Sequence, residues 1–160
     1  MIFTKRSDYG LRAAMELAAA YGRGPLSAHQ IAQRGNLPEP FVRKLMQELA
    51  QAGLASSRRG RNGGYVLARA PERVTVRETL EAFETLAPVP CLALRPAKTT
   101  VAAEEDDGCT LDILEITCPT RAAWHLVDQR VRETLDELTL DDLLGEVHRR
   151  GLTDEMAHVR

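Results

Sequence analysis

Residues 26–54 constrain the fold most, because they contain the start and stop signals of two short helices close together. Ser27-Ala28-His29-Gln30 has the form of a capping box, which opens a helix that ends at about Gly35. Leu37-Pro38-Glu39-Pro40 opens the next helix, because proline is tolerated in a first helical turn. This second helix is predicted to end at Gly53 in a left-handed cap and to have an apolar stripe of Phe41, Leu45 and Leu49. Two short helices joined by a tight turn, the second amphipathic, are typical of a helix-turn-helix.

The stretch that follows is predicted to form a short basic β-hairpin. Leu54 to Ser57 and Tyr65 to Ala68 can be strands, and residues 58–64, "RRGRNGG", would turn between them. Glycine lets a backbone take positive φ or approach another group closely, and arginine can contact phosphates or enter a minor groove. The hairpin is therefore predicted to bind nucleic acid, with a solvated basic turn as the alternative.

Charge is distributed unevenly along the chain. Residues 1–69 contain eleven Lys or Arg and four Asp or Glu, a balance of +7. Residues 70–160 contain ten and nineteen, a balance of −9, so the formal net charge of −2 hides a strong asymmetry. A basic half beside an acidic half suggests that only the N-terminal half meets a polyanion.

The other segments are predicted to be helical, which makes the fold class mostly α with a small β-hairpin. Residues 4–21 have helical spacing, with a shared face of Leu11, Ala14, Met15, Ala18 and Tyr21. Thr75 and Glu78 form another capping box, which opens a helix with Val76, Leu80 and Phe83 facing inward. A long helix is predicted from Thr120 to about Leu138, and a short helix restarts at Thr139 and runs through Leu144.

The long helix, about 28 Å in length, has an apolar stripe that must be covered. The stripe consists of Ala123, Leu126 or Val127, Val131, Leu135 and Leu138. Packing against the rest of the chain would cover it, and so would pairing with the same helix of a second copy.

All three cysteines lie in the stretch from Cys91 to Cys118. The N-terminus lacks an apolar run of signal-peptide length, and no stretch approaches ~20 apolar residues, so a cytoplasmic protein without a membrane segment is expected. Thiols stay reduced in that compartment, and three clustered thiols there indicate a metal or redox role. Zinc fits less well, because no Cys-x-x-Cys pair is present. A disulfide formed on oxidation and three unremarkable thiols are the alternatives.

Three stretches resemble the Rrf2 family of bacterial winged-helix regulators, which includes IscR, NsrR, RirA and CymR: "TKRSDYGLRAAMELA", "LSAHQIAQRGNLPEPFVRKLMQELAQAGLASSRRGRNGGYVLAR" and "VTVRETLEAFE". The resemblance covers roughly residues 1–144, and "RRGRNGGYVLAR" and the "CP" that opens the long helix are its most specific parts. It implies a homodimer that binds palindromic operators in double-stranded DNA. Arg43 and Lys44 would then contact DNA from the recognition helix, and the wing would contribute Arg58, Arg59, Arg61, Asn62, Gly63, Gly64 and Tyr65.

The resemblance also implies an iron–sulfur cluster, either 2Fe–2S or 4Fe–4S, held by Cys91, Cys109 and Cys118. Some relatives take the fourth ligand from the first helix of the other subunit, at a position that aligns with Asp8. The spacing of Asp8 and Arg12 also fits an ordinary surface ion pair. One departure from the family is the separation of the first two cysteines by seventeen residues, which include an acidic run, instead of a handful.

These patterns predict a DNA-binding transcriptional regulator, expected to be a repressor, controlled by a cluster that senses redox state, iron or nitric oxide. A cluster-free winged-helix repressor, controlled by a partner protein, a small ligand or thiol oxidation, is the alternative. No Gly-x-Ser-x-Gly, P-loop or His-Glu-x-x-His motif is present, so an enzyme is not expected. The predicted divisions are a DNA-binding domain (1–86), a cluster loop (87–119), a dimerisation helix with a short following helix (120–148) and a flexible tail (149–160).

Overall fold

Helices and one small antiparallel sheet form the part of the chain that the structure describes, as the sequence predicts. The computed structural model describes residues 3–60, 63–88, 92 and 119–151. The helices are α1 Lys5–Ala19, α2 Ala28–Arg34, α3 Glu39–Gln51, α4 Val76–Glu81, α5 Pro119–Glu137 and α6 Leu140–Arg149. The strands are β1 Ala55–Arg58 and β2 Gly64–Leu67, and a 3₁₀ helix covers Pro71–Arg73. The described residues form two compact units, one of residues 3–84 and 134–151 and the other of residues 85–88, 92 and 119–133.

The core of the larger unit lies where α1 crosses α3 and α6 packs against α1. Ala13, Ile31, Val42, Met46 and Leu140 are fully inaccessible to solvent. Gly10 lies inside α1, where neither a helix cap nor a turn requires a glycine. A Cβ at this position would collide with the ring of Phe83. Glycine in a helix interior destabilises the helix by roughly 0.5–1 kcal/mol relative to alanine. Here the absence of a side chain permits the close approach of a buried aromatic ring.

Two segments far apart in sequence join through a short bridge between Thr75 and Thr139. The Val76 N–H donates to the Leu138 carbonyl at 2.8 Å, and the Leu140 N–H donates to the Val74 carbonyl at 3.0 Å. We call these two bonds the 74–140 clamp. Because the Leu140 side chain is completely buried, the clamp holds the start of α6 in the core.

The structure differs from three predictions, which concern the end of α1, the buried face of α3 and the end of α6. Helix α1 ends at Ala19, so Tyr21 lies beyond it and is 47% exposed instead of packing on the helix face. Phe41 is 58% exposed, and its ring meets Tyr9 edge-on. The buried stripe of α3 is instead Val42, Leu45, Met46 and Leu49. Helix α6 continues to Arg149 rather than ending at Leu144, and Glu146 pairs with both Arg149 and Arg150 over its last turn.

The long helix predicted from Thr120 to about Leu138 is confirmed as α5. In the smaller unit, Arg132 pairs with Asp128 at 2.7 Å one turn earlier and donates to the Leu86 carbonyl. The helix displays large apolar side chains to solvent: Trp124 is 41% exposed and Val127 is 44% exposed, and Leu126 is exposed as well. In the part of the chain that the structure describes, no helix is both long and apolar enough to cross a membrane.

Glu16 is a buried carboxyl in α1, and it predicts how stability depends on pH. Burial raises its pKa above the ordinary value of 4.5, and Arg34 only partly opposes this shift. A carboxyl with a raised folded-state pKa binds protons more tightly in the folded state, so its ionised form lowers stability at neutral pH. Glu16→Gln should therefore raise the urea midpoint at pH 7. The gain should shrink on acidification and vanish below about pH 4.5.

The matched control is Glu72→Gln, at an exposed position on the 3₁₀ helix. It should leave the urea midpoint unchanged throughout the same pH range. A gain for Glu16→Gln that did not change with pH would contradict a titrating origin.

Candidate nucleic-acid interface and metal ligands

Local hydrogen bonds fix both the start of α2 and the turn that joins α2 to α3. The Ser27 hydroxyl accepts from the Gln30 N–H at 3.2 Å, and the Gln30 side chain accepts from the Ser27 N–H at 2.9 Å, which confirms the predicted capping box. After α2, Asn36 takes a left-handed conformation with φ of 49°, which asparagine tolerates better than most residues. The Leu37 N–H then donates to the Ala32 carbonyl at 2.8 Å. These bonds set the direction in which α3 leaves the turn.

Helix α3 ends in the predicted glycine cap, which leads directly into β1. Gly53 has φ of +72°, and its N–H donates to the Ala50 carbonyl at 3.1 Å. The Leu54 N–H donates to the Leu49 carbonyl at 2.8 Å. This pair of bonds is a Schellman motif. It fixes the position of the hairpin relative to α3.

The hairpin, which we call the wing, consists of β1, β2 and the residues between them. Its register pairs Ala55 with Leu67 and Arg58 with Gly64. Leu26, just before α2, adds a third segment, because its N–H and carbonyl bond to Tyr65 at 2.9 and 2.8 Å. The wing is therefore held on one side by the start of the helix-turn-helix and on the other by α3.

Two glycines of the wing are required by close backbone contacts. A Cβ at Gly64 would collide with the Leu26 carbonyl, and a Cβ at Gly63 would collide with the Arg58 carbonyl. Tyr65, the next residue, is half-buried. These contacts explain the paired glycines in structural terms, beside any role in approaching a ligand. The predicted site residues Arg61 and Asn62 lie outside the described residues.

Four basic side chains of this region are exposed and have no side-chain partner among the residues that the structure describes. Arg43 and Lys44 on α3, and Arg58 and Arg59 on the wing, are all exposed. None of the four has an ion pair or hydrogen bond to a side chain within residues 3–60, 63–88 and 119–151. Arginines nearby are neutralised: Arg6 pairs with Glu48, Arg12 with Asp8, and Arg69 with Glu78. Unneutralised charge on α3 and the wing is a surface suited to a polyanion.

Sequence reasoning missed another exposed residue of α3, Gln47. The core face of the helix consists of Val42, Leu45, Met46 and Leu49, and helical spacing places Gln47 on the opposite face, three residues after Lys44. The same spacing rule applied to the sequence would have found it, had the stripe been placed on Val42 rather than Phe41.

The predicted metal ligands are only partly within the described residues. Asp8 lies in the first turn of α1, is exposed, and pairs with Arg12 at 3.0 Å. The ion pair predicted as the ordinary explanation of these two residues is therefore present. Cys91, Cys109 and Cys118 lie outside the described residues. Over the described ranges, no group of three or more His, Cys, Asp or Glu side chains could hold a metal ion.

A helix-turn-helix followed by a two-stranded wing defines a winged-helix DNA-binding protein. Residues 3–146 match the family described as Rrf2, iron-dependent transcriptional regulator. The chain belongs to the Rrf2 family of transcriptional regulators.

Individual relatives agree with this assignment. The chain is 34% identical over 143 residues to the HTH-type transcriptional regulator CymR of Bacillus subtilis (strain 168), covering 89% of each chain. The solved structure of CymR, the global cysteine regulator of B. subtilis, has a TM-score of 0.67 at 31% identity, covering 91% of this chain and 98% of that one. The structure of T. potens IscR has a TM-score of 0.67 at 28% identity, covering 92% and 88%.

Proposed function

We propose that the protein is a homodimeric repressor that binds a palindromic operator and whose affinity for it is controlled by an iron–sulfur cluster. The observation that carries the DNA-binding part is the set of four exposed basic side chains on α3 and the wing, which have no side-chain partner within the described ranges. Arg43 and Lys44 would lie in the major groove. The wing would follow the adjacent backbone and minor groove through Arg58, Arg59, Arg61, Asn62, Gly63, Gly64 and Tyr65. In this proposal residues 1–86 bind DNA, 87–119 hold the cluster, 120–148 form the dimer, and 149–160 are a tail.

The dimer in this proposal forms through α5. Trp124 and Val127 are large, apolar and more than two-fifths exposed, and they lie three residues apart on one face of the helix. Exposed apolar side chains in a row mark an interaction site more often than chance. A two-fold pair of α5 helices would cover both stripes at once and would give the dimer the symmetry of a palindrome.

The cluster would be held by Cys91, Cys109 and Cys118, with Asp8 of the partner subunit as the fourth ligand. The chemistry of this donor set fits the group, because thiolates are the usual ligands of iron–sulfur clusters and Asp8 presents its carboxylate at the surface. The cluster would supply a metal centre that responds to iron supply, oxidants or nitric oxide. Loss of an oxygen ligand is an easier change than loss of a thiolate, which suits a sensing position.

Contacts of α1 explain how a change at Asp8 would reach DNA. Two guanidinium nitrogens of Arg6 pair with the carboxylate oxygens of Glu48 on α3, at 2.7 and 3.2 Å. Tyr9 meets Phe41 of α3 edge-on, with ring centroids 6.5 Å apart. These residues flank Asp8 on the first turns of α1. A change in the first turn of α1 would therefore alter the position of the recognition helix.

The first experiment is an anaerobic absorption spectrum of freshly purified protein with iron and sulfide analysis. We expect visible bands with matching iron and sulfide contents. Asp8→Ala should alter the bands and lower cluster stability by about tenfold or more, because even groups that only support metal ligands contribute that much. Arg12→Ala is the matched control, since it breaks the same 3.0 Å ion pair but keeps the carboxylate.

The outcomes separate the parts of the proposal. An Asp8→Ala protein with the wild-type spectrum and the wild-type stimulus response would remove Asp8 as a ligand and leave the cysteines in place. Colourless wild-type protein that resists reconstitution would remove the cluster itself.

A cluster-free regulator is the second candidate. The 34% identical relative from B. subtilis is CymR, a global cysteine regulator. Seventeen residues between Cys91 and Cys109 also depart from the family's usual spacing. Operator binding by colourless protein, changed by thiol oxidation, a small ligand or a partner protein, would select this candidate.

A further inference from the structure

The outward face of α3 contains an uncharged side chain with both a donor and an acceptor. Gln47 is exposed and lies opposite the buried residues Leu45 and Leu49. Its amide makes no hydrogen bond to any other residue in the described part of the chain. By contrast, Glu39 and Glu48 of the same helix are occupied by His29 and Arg6. An amide without a partner in this part of the chain, about one turn after two exposed basic residues, is available to a ligand of this face.

The chemistry of an amide matches one base edge in the major groove. Adenine presents the N7 acceptor and the N6 amino donor side by side, and a glutamine amide can donate to the first and accept from the second. Arginine and lysine instead suit guanine or phosphates. Among the exposed residues of α3, Arg43 and Lys44 can thus contact phosphate or guanine, whereas Gln47 can identify an A·T pair.

Position along the helix distinguishes Gln47 from the other outward glutamine. Gln51 is the last residue of α3 and lies about 6 Å further along the axis. Recognition helices present their N-terminal residues to base edges. Gln47 is the ninth of the thirteen residues of α3 and follows Arg43 and Lys44 by about one turn, whereas Gln51 is the last residue and lies another turn further from the N-terminal end.

We infer that Gln47 is a specificity-determining residue that reads an A·T base pair in each half-site of the operator. This inference rests on the proposed binding of a palindromic operator. Arg43 and Lys44 contribute affinity on the same face, and Gln47 contributes sequence selection.

The test is selection from a random-sequence DNA duplex library, followed by competition with duplexes that carry each single base change. The wild type should prefer A·T at one symmetric pair of positions by about 10–100-fold. Gln47→Ala should reduce that preference to below about threefold and leave every other position unchanged. Its salt dependence should equal that of the wild type, because no charge is removed. Gln47→Glu should move the preference to cytosine, which offers an amino donor alone.

Gln51→Ala is the matched control, with the same side chain on the same helix, and it should select the wild-type sequence. The inference is overturned if Gln47→Ala selects the same bases with the same discrimination, or if Gln51→Ala reproduces the loss. Wild-type protein that selects no sequence at all would overturn operator binding itself, a result distinct from an unchanged Gln47→Ala profile. Unchanged thermal unfolding of the variants excludes a folding defect, as their exposure leads us to expect.

Discussion

Replacing Val127 with aspartate is expected to convert the proposed dimer into a monomer. Val127 is 44% exposed on α5, beside Trp124, in the stripe proposed to meet its two-fold copy. The substitution would bury two carboxylates close together, and an unpaired buried charge costs several kcal/mol. Light scattering should show the monomer mass at micromolar concentration. Affinity for a palindromic operator should fall by about 100-fold or more, because the two half-sites are no longer bound by linked domains.

The control is Ala122→Asp, on the opposite face of α5 and also exposed. It introduces the same charge near the start of the helix, where a carboxylate is favourable. This variant should remain dimeric and bind operator like the wild type. A dimeric Val127→Asp protein would show that the stripe is not the subunit interface.

Replacing Arg59 with alanine is expected to weaken operator binding by about 10–100-fold, the usual effect of losing a specific arginine contact. Arg59 is exposed at the end of β1, next to Gly60 with φ of +126°, and has no partner among the side chains that the structure describes. An arginine placed in a narrow minor groove reads its shape, so binding to the operator should fall more than binding to random DNA. Fluorescence anisotropy with both duplexes measures the difference.

Arg58 and Arg73 provide the comparison. Arg58, paired with Gly64 in the wing, is expected to contact phosphate, so Arg58→Ala should weaken binding to all sequences alike and flatten the salt dependence by about one unit. Arg73, exposed on the 3₁₀ helix outside the wing, should tolerate alanine without change. If Arg59→Ala bound the operator as tightly as the wild type, the assignment of the wing would be wrong.

The local features of the fold could be predicted from sequence. The capping boxes at Ser27 and Thr75 and the left-handed cap at Gly53 all appear as predicted. Each depends on residues within five positions of one another, so the sequence alone contains the whole interaction. Family resemblance then added what local rules cannot supply, the arrangement of these elements as a winged helix.

Features that depend on distant partners were predicted less well. Phe41 fits a helical stripe with Leu45 and Leu49, but Tyr9 of α1 offers it a ring contact at the edge of the core. Val42 takes the inward position instead, and this rotation is why Gln47 went unnoticed. The role of Gly10 likewise depends on Phe83, more than seventy residues away.

The candidate DNA-binding residues and the candidate cluster ligands were predicted on different grounds. Exposed basic residues on α3 and the wing follow from periodicity and turn chemistry, and the structure places Arg43, Lys44, Arg58 and Arg59 at the surface without partners among the described residues. Their contacts with DNA remain a proposal. A shared cluster depends on ligands from two chains and on a stretch whose spacing is unusual, so neither periodicity nor local geometry decides it.

The 74–140 clamp and the buried ring of Phe83 hold in the larger unit the two segments that flank residues 85–133. The fold of the DNA-binding part therefore does not depend on how many residues lie between positions 85 and 133. Each doubling of a loop's length adds only ~0.6 kcal/mol to the cost of closing it. An insertion such as the acidic run of residues 104–107 is therefore cheap. Segments of different chemistry can therefore occupy this position while the DNA-binding part of the fold stays the same.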